Sequence, residues 1–250
     1  MKRIQTAFIG IVFCCAALTC NAAVVFDNTT SPTGQVNALL ANGEINSFEH
    51  GSTVTLASYE RIVNSFTVRM RILGAGPATF TMRIRFYRND GPAGVPGSLL
   101  WDSGAMNKVI DSGAELPYTF AVPNVRIPNA FTWSVQVSNR QINMSQMGPA
   151  EHNPPSVGSS PFGFWRNDSL NIPNWQFVNQ NEPPFSARVS AEPIPGDVNH
   201  DATVNILDLL TVVSQWGACP QCTPAACPSD VNGDCTVNIA DLLATVANWG

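Results

Sequence analysis

The feature that most constrains this chain is an internal repeat close to its C-terminus. Asp197–Gly217 and Asp230–Gly250 are near-copies, each opening on an Asx-rich stretch and closing on Trp-Gly. The first stretch reads Asp197-Val-Asn-His-Asp-Ala-Thr-Val-Asn-Ile-Leu-Asp208. The second reads Asp230-Val-Asn-Gly-Asp-Cys-Thr-Val-Asn-Ile-Ala-Asp241. One polar turn of this kind arises easily, but two in matching register do not, so the pair forms one structural unit.

The spacing is that of a calcium loop. Calcium takes roughly six to eight oxygens, and a loop of about twelve residues supplies them from positions 1, 3, 5, 7, 9 and 12. In the first copy these are Asp197, Asn199, Asp201, Thr203, Asn205 and Asp208; in the second, Asp230, Asn232, Asp234, Thr236, Asn238 and Asp241. Position 7 contributes its backbone carbonyl, and position 9 often acts through water. From Asp197 onward there are six aspartates and no Lys or Arg, so the unit repels itself unless cations neutralise it. After each loop, apolar residues recur at helical spacing: Ile206, Leu209, Leu210 and Val213, then Ile239, Leu242, Leu243 and Val246. These faces are expected to pack together as a small core. Gly217 is expected to end the first helix at C′.

On these residues the segment resembles a type I dockerin repeat pair. The resemblance covers the last fifth of the chain. It implies two antiparallel loop–helix units around two structural Ca2+ ions and attachment to a cohesin-like or other surface protein. Two departures stand out. Loop position 6, usually glycine, is Ala202 and Cys235, which implies strain of about 1 kcal/mol each if φ is positive. Positions 10 and 11, often Ser or Thr in the family, are Ile206-Leu207 and Ile239-Ala240, which implies a greasier partner surface.

The other end of the chain bears on compartment. Lys2 and Arg3 precede an apolar stretch from Ile4 to Leu18, followed by small residues at Ala22 and Ala23. Residues 1–23 read as a secretory signal peptide, too short to span a bilayer, and the rest has no transmembrane segment. Of seven cysteines, Cys219, Cys222, Cys227 and Cys235 cluster near the C-terminus. In an exported chain they read as two disulfides in preference to a zinc site, with three pairings open. The expectation is a secreted protein, cell-surface attached through its C-terminal unit.

Residues 24–192 read as all-β. Phe131, Trp133, Val135 and Val137 alternate, as do Tyr118, Phe120 and Val122, and turn residues such as Asn89-Asp90-Gly91-Pro92 punctuate the segment. A jelly-roll-like β-sandwich is expected, followed by a stiff proline linker at 193–196 and the repeat pair at 197–250. A hairpin is also expected around Gly74-Ala75-Gly76-Pro77, with Phe66, Val68, Met70 and Ile72 opposite Phe86, Ile84, Met82 and Phe80. It would set Arg69 opposite Arg83, like charges that acidic residues of a neighbouring strand or loop neutralise or that splay into water, with an anion-binding face as the functional alternative.

No catalytic motif occurs in the β segment. His50 and His152 stand outside any pattern, and Glu44, Glu49, Asp102 and Asp168 could pair as glycosidase carboxylates only if the fold converges them. Asp90 and Asp102 read first as turn caps. Phe162, Phe164, Trp165, Trp175 and Phe177 are ordinary packing aromatics or a sugar-stacking platform. The sequence thus favours a non-catalytic structural or adhesive sandwich. Its alternatives are a carbohydrate-binding module and a polysaccharide-degrading glycoside hydrolase. No basic cluster with interleaved aromatics points to nucleic acid.

Overall fold

The computed structural model describes residues 22–36, 46–73, 77–111, 113, 115–139, 146–167, 174–178, 181–223 and 226–250. Residues 1–21 of the expected signal segment, the Gly74-Ala75-Gly76 turn, Glu44 and Asp168 lie outside these. The structure is mainly β, and every strand pairing is antiparallel.

One sheet orders β1 (Ala23–Asp27), β13 (Ala187–Glu192), β4 (Ile62–Leu73), β10 (Gln146–His152) and β2 (Pro32–Val36), with β8 (Glu115–Arg126) also paired to β4. The other orders β12 (Trp175–Val178), β11 (Phe164–Asn167), β3 (Asn46–Thr55), β9 (Ala130–Ser138), β5 (Ala78–Arg88) and β6 (Leu99–Asp102), with β7 (Met106–Ile110) also paired to β5. From β3 to β5 and again from β8 to β11, each connection changes sheet.

The alternation read from sequence fills the interior. Phe131, Trp133, Val135 and Val137 are buried on β9, and Phe120 and Val122 on β8. They share one core with Phe66, Val68, Met70 and Ile72 of β4 and with Phe80, Met82, Ile84 and Phe86 of β5.

β4 and β5 do not pair as the expected hairpin. β4 lies between β8 on one edge and β13 and β10 on the other, while β5 lies between β9 and the β6–β7 segment. The chain crosses from one sheet to the other, so the eight apolar side chains meet across the sandwich; Phe66 and Phe86 stand 5.1 Å apart between ring centroids. Two strands that each need one buried face satisfy the same alternation whether they pair edge to edge or stack face to face. The arginines therefore do not oppose each other. Arg69 pairs with Glu115, Arg83 with Asp102, and Arg85 with both Asp102 and Glu49.

Beyond β13 the chain enters two short helices, α1 (Ile206–Ser214) and α2 (Ile239–Ala247), and a small ladder of β14 (Gly217–Ala218) with β15 (Thr236–Val237). Proline-rich residues 193–196 do not hold this unit away from the sandwich. Ile194 is buried, Arg126 of β8 donates to Ala202 and Gly250 carbonyls, and Tyr59 stacks on His200 at 3.7 Å. Disulfides join Cys219 to Cys227 and Cys222 to Cys235.

Candidate metal centre

The two loops fold alike because their Asx side chains bond the same backbone positions. Asp197 accepts from the N–H groups of Asp201 (3.0 Å) and Ala202 (2.8 Å); Asp230 accepts from those of Asp234 and Cys235 at the same distances. Asn199 Oδ1 accepts from Asp201 N, and Asn232 Oδ1 from Asp234 N. Asp201 and Asp234 each accept from the N–H two residues on, at Thr203 and Thr236. Such Asx turns wind each loop into a cup.

The last aspartate of each loop is its hub. Asp208 is fully buried; its Oδ1 accepts from Val198 and Asn199 N–H, and its Oδ2 from Asn205 N–H. Asp241, also fully buried, accepts from Asn232 and Asn238 N–H. Asn205 and Asn238 cap the helices, accepting from Leu207 and Ala240 N–H and completing capping boxes with Asp208 and Asp241.

This hub sets the rotation of each helix and overturns the expected core. With Asp208 turned into its loop, Val212 one turn on faces inward and is buried, whereas Ile206, Leu210 and Val213 are about half exposed. In α2, Asp241 and Thr245 face inward, while Ile239, Leu243 and Val246 face out. The small core is Val198, Val212, Cys227 and Val237, joined by partly buried Leu242, Val231 and Cys219. Gly217 does not sit at C′: Gln215 is the C-cap, and Gly217 lies one residue beyond C′, where β14 begins.

The chemistry of the donors suits a hard cation. Ligand oxygens of Asp197, Asp201 and Asp208 lie within 4.8 Å of one another. Burial, then the adjacent Asp208 and Asp201 carboxylates, push the Asp197 carboxyl up against the opposing backbone bonds. Each carboxylate keeps lone pairs beyond those its N–H donors use. Asp197, Asn199, Asp201, Asp208 and the Thr203 carbonyl would hold Ca2+ in the first loop, with Asn205 acting through water; Asp230, Asn232, Asp234, Thr236, Asn238 and Asp241 are their counterparts. The ion would supply charge neutralisation and rigidity. Position 6 takes positive φ in both loops, 66° at Ala202 and 70° at Cys235. Position 4 does likewise at His200 (62°) and Gly233 (74°).

Elsewhere, the candidate carboxylates have other partners. Glu49 accepts from Tyr87 and Ser134 and is bridged to Asp102 by Arg85. Burial pushes the Asp102 carboxyl up, but hydrogen bonds from Arg83, Gly104 N–H and Arg85 hold it below the usual range, which suits a structural anion more than a general acid. Asp90 closes its turn onto Ser98, and Asp102 also accepts from Gly104 N–H. His152 is buried against Glu115, and His50 is buried beside Phe164.

Glu151, buried on β10, is a further titratable group, and desolvation, helped by Glu182, raises its carboxyl to about 7. No local pattern marks it, because its burial comes from strands distant in sequence. Among the aromatics, Phe164 and Trp175 are buried, Phe162 and Phe177 are exposed, and Trp165 meets Phe177 edge-on at 5.1 Å, so those two rings are not coplanar. Comparison with protein-family models and with curated proteins gives no match.

Proposed function

We propose that this is an exported, non-catalytic β-sandwich protein carrying a calcium-stabilised, dockerin-like attachment unit at residues 197–250. The observation that carries the reading is the outward turn of the apolar helix stripes. Ile206, Leu207, Leu210, Val213 and Trp216 in one repeat, and Ile239, Leu243, Val246 and Trp249 in the other, are each about half exposed. A small unit that buries Asp197, Asp208 and Asp241 while leaving Leu207, Leu210 and Leu243 exposed is built to be covered by another surface. Calcium in the two loops would fix the helices that carry these stripes. The partner is a cohesin-like or other surface protein with an apolar complement. The disulfides suit an oxidising compartment, in keeping with secretion and cell-surface attachment.

The test has two arms on the full chain. Calcium should raise helicity and thermal stability in titrations followed by circular dichroism and calorimetry, because binding to the folded state alone adds to folding free energy. Equal helicity and stability in excess chelator would sink the calcium reading. Leu207→Glu with Ala240→Glu should release the protein from the cell surface in fractionation while leaving calcium affinity nearly unchanged. Full surface retention of that variant would place attachment elsewhere.

A second reading, saccharide contact, has exposed Phe162 and Phe177 beside Trp165 in its favour. A glycan array with Phe177→Ala as control separates it from the first.

A further inference from the structure

The two loops present the same backbone to their surroundings but receive different support. In the second loop, the position 6 carbonyl of Cys235 accepts from Cys219 N–H at 3.0 Å. Cys235 is also tied to Cys222 by a disulfide, and Gly217–Ala218 pairs with Thr236–Val237 just beyond. Position 4 there is Gly233, which takes its positive φ without strain.

In the first loop the same atoms are held partly from the other repeat and partly from the sandwich. Gly250 N–H reaches Val204 O, matching the pairing of Gly217 with Val237. The position 6 carbonyl of Ala202 accepts from Arg126 Nη2 at 2.6 Å, and Arg126 Nη1 donates to Gly250 O at 2.5 Å. One guanidinium fork thus supplies what a neighbouring strand supplies in the second loop. Position 4 is His200, a side chain at positive φ, and it stacks on Tyr59 with rings 18° from parallel. Arg61, in the same patch of the sandwich, lies within electrostatic reach of Asp197.

We propose that Arg126, with Tyr59, is a positioning residue for the first cation loop, so that docking of the sandwich and cation occupancy of that loop reinforce each other. This rests on the calcium reading above. The peptide joining Ala202 to Thr203 is held at both ends. Its carbonyl accepts from Arg126, while its N–H donates to the Asp201 carboxylate, so the guanidinium polarises the peptide and strengthens the bond that orients a ligand. The second loop carries this support within the repeat unit, from Cys219, the Cys222–Cys235 disulfide and the β14–β15 ladder.

The sign of the effect separates positioning from simple charge. Removing a cation near a calcium site should tighten binding if Arg126 acts only through repulsion. Loss of its fork should weaken binding if it holds the loop. The experiment is calcium calorimetry on the full chain carrying Asp230→Asn and Asp234→Asn, which leaves only the first loop to be read. Arg126→Ala in that background should weaken binding about tenfold. Arg126→Lys, which keeps the charge without the planar fork, should recover only part of the loss. In the chain with an intact second loop, that loop's affinity should not change. Equal or tighter binding by Arg126→Ala overturns the coupling.

Amide exchange at Ala202 and Thr203 in the metal-free full chain provides the second readout. Faster exchange in Arg126→Ala than in wild type supports the clamp, and unchanged exchange overturns it. A wild type that takes no calcium overturns the calcium reading and the coupling together, while the exchange result still decides whether Arg126 holds the loop.

Discussion

The sandwich and the C-terminal unit handle apolar and charged residues in opposite ways. In the sandwich, phenylalanine, valine and methionine side chains fill the space between the sheets, and Arg69, Arg83 and Arg85 pair with Glu115, Asp102 and Glu49 away from that core. In the C-terminal unit, Asp208 and Asp241 are the fully buried side chains around which each loop closes, and leucine, isoleucine and tryptophan stand half exposed. The difference teaches that apolar periodicity locates a helix face but not the direction in which that face points. In the sandwich, burial of area sets orientation. In α1 and α2, a buried carboxylate with three backbone donors in one case and two in the other outranks it.

The contrast can be broken most strongly from the sandwich side. Trp133 is fully buried between the sheets against Phe66 and Phe185. Trp133→Ala should destabilise the sandwich by about 3–5 kcal/mol through the cavity it leaves, measured by denaturant unfolding followed by tryptophan-independent circular dichroism. A loss under about 1 kcal/mol would mean that the sheets collapse onto the gap.

Next comes the hub. In excess chelator, Asp208→Ala should destabilise the C-terminal unit by about 2–4 kcal/mol, because Val198, Asn199 and Asn205 N–H groups lose their acceptor. Leu210→Ala, two positions on, should change stability by less than about 0.5 kcal/mol, since Leu210 is 58% exposed. Equal losses in the two variants would return the packing role to the leucine stripe.

The smallest effect is a pH dependence. Burial raises the Glu151 carboxyl from 4.5 to about 7. The folded state therefore binds more protons than the unfolded state between these values. Glu151's contribution to stability should be fully present below about pH 4.5 and be lost as pH rises through about 7. Glu151→Gln should flatten that slope and stabilise the protein by about 1–2 kcal/mol at pH 8. A slope that persists in the variant would assign it to another group.

Much of this was legible in the chain itself. Alternation at Phe131–Val137 marked a buried strand, and the repeated Asx spacing marked two loops with closely matching internal bonds. Both are local consequences of side-chain period and of Asx side chains reaching backbone N–H groups a few residues away. Position 6 was likewise readable, since the loop winding demands positive φ whether or not glycine is present.

What the tertiary structure alone decided was everything that depends on a distant neighbour. Whether β4 and β5 pair or stack, which acid meets each arginine, and why Glu151 is buried all follow from strands far apart in sequence. The cysteine pairing and the placing of Arg126 against the first loop belong with them. Local pattern encodes which face is apolar and which turn is tight. Only packing determines what that face or turn meets, because many partners satisfy the same alternation and only one arrangement fills the core.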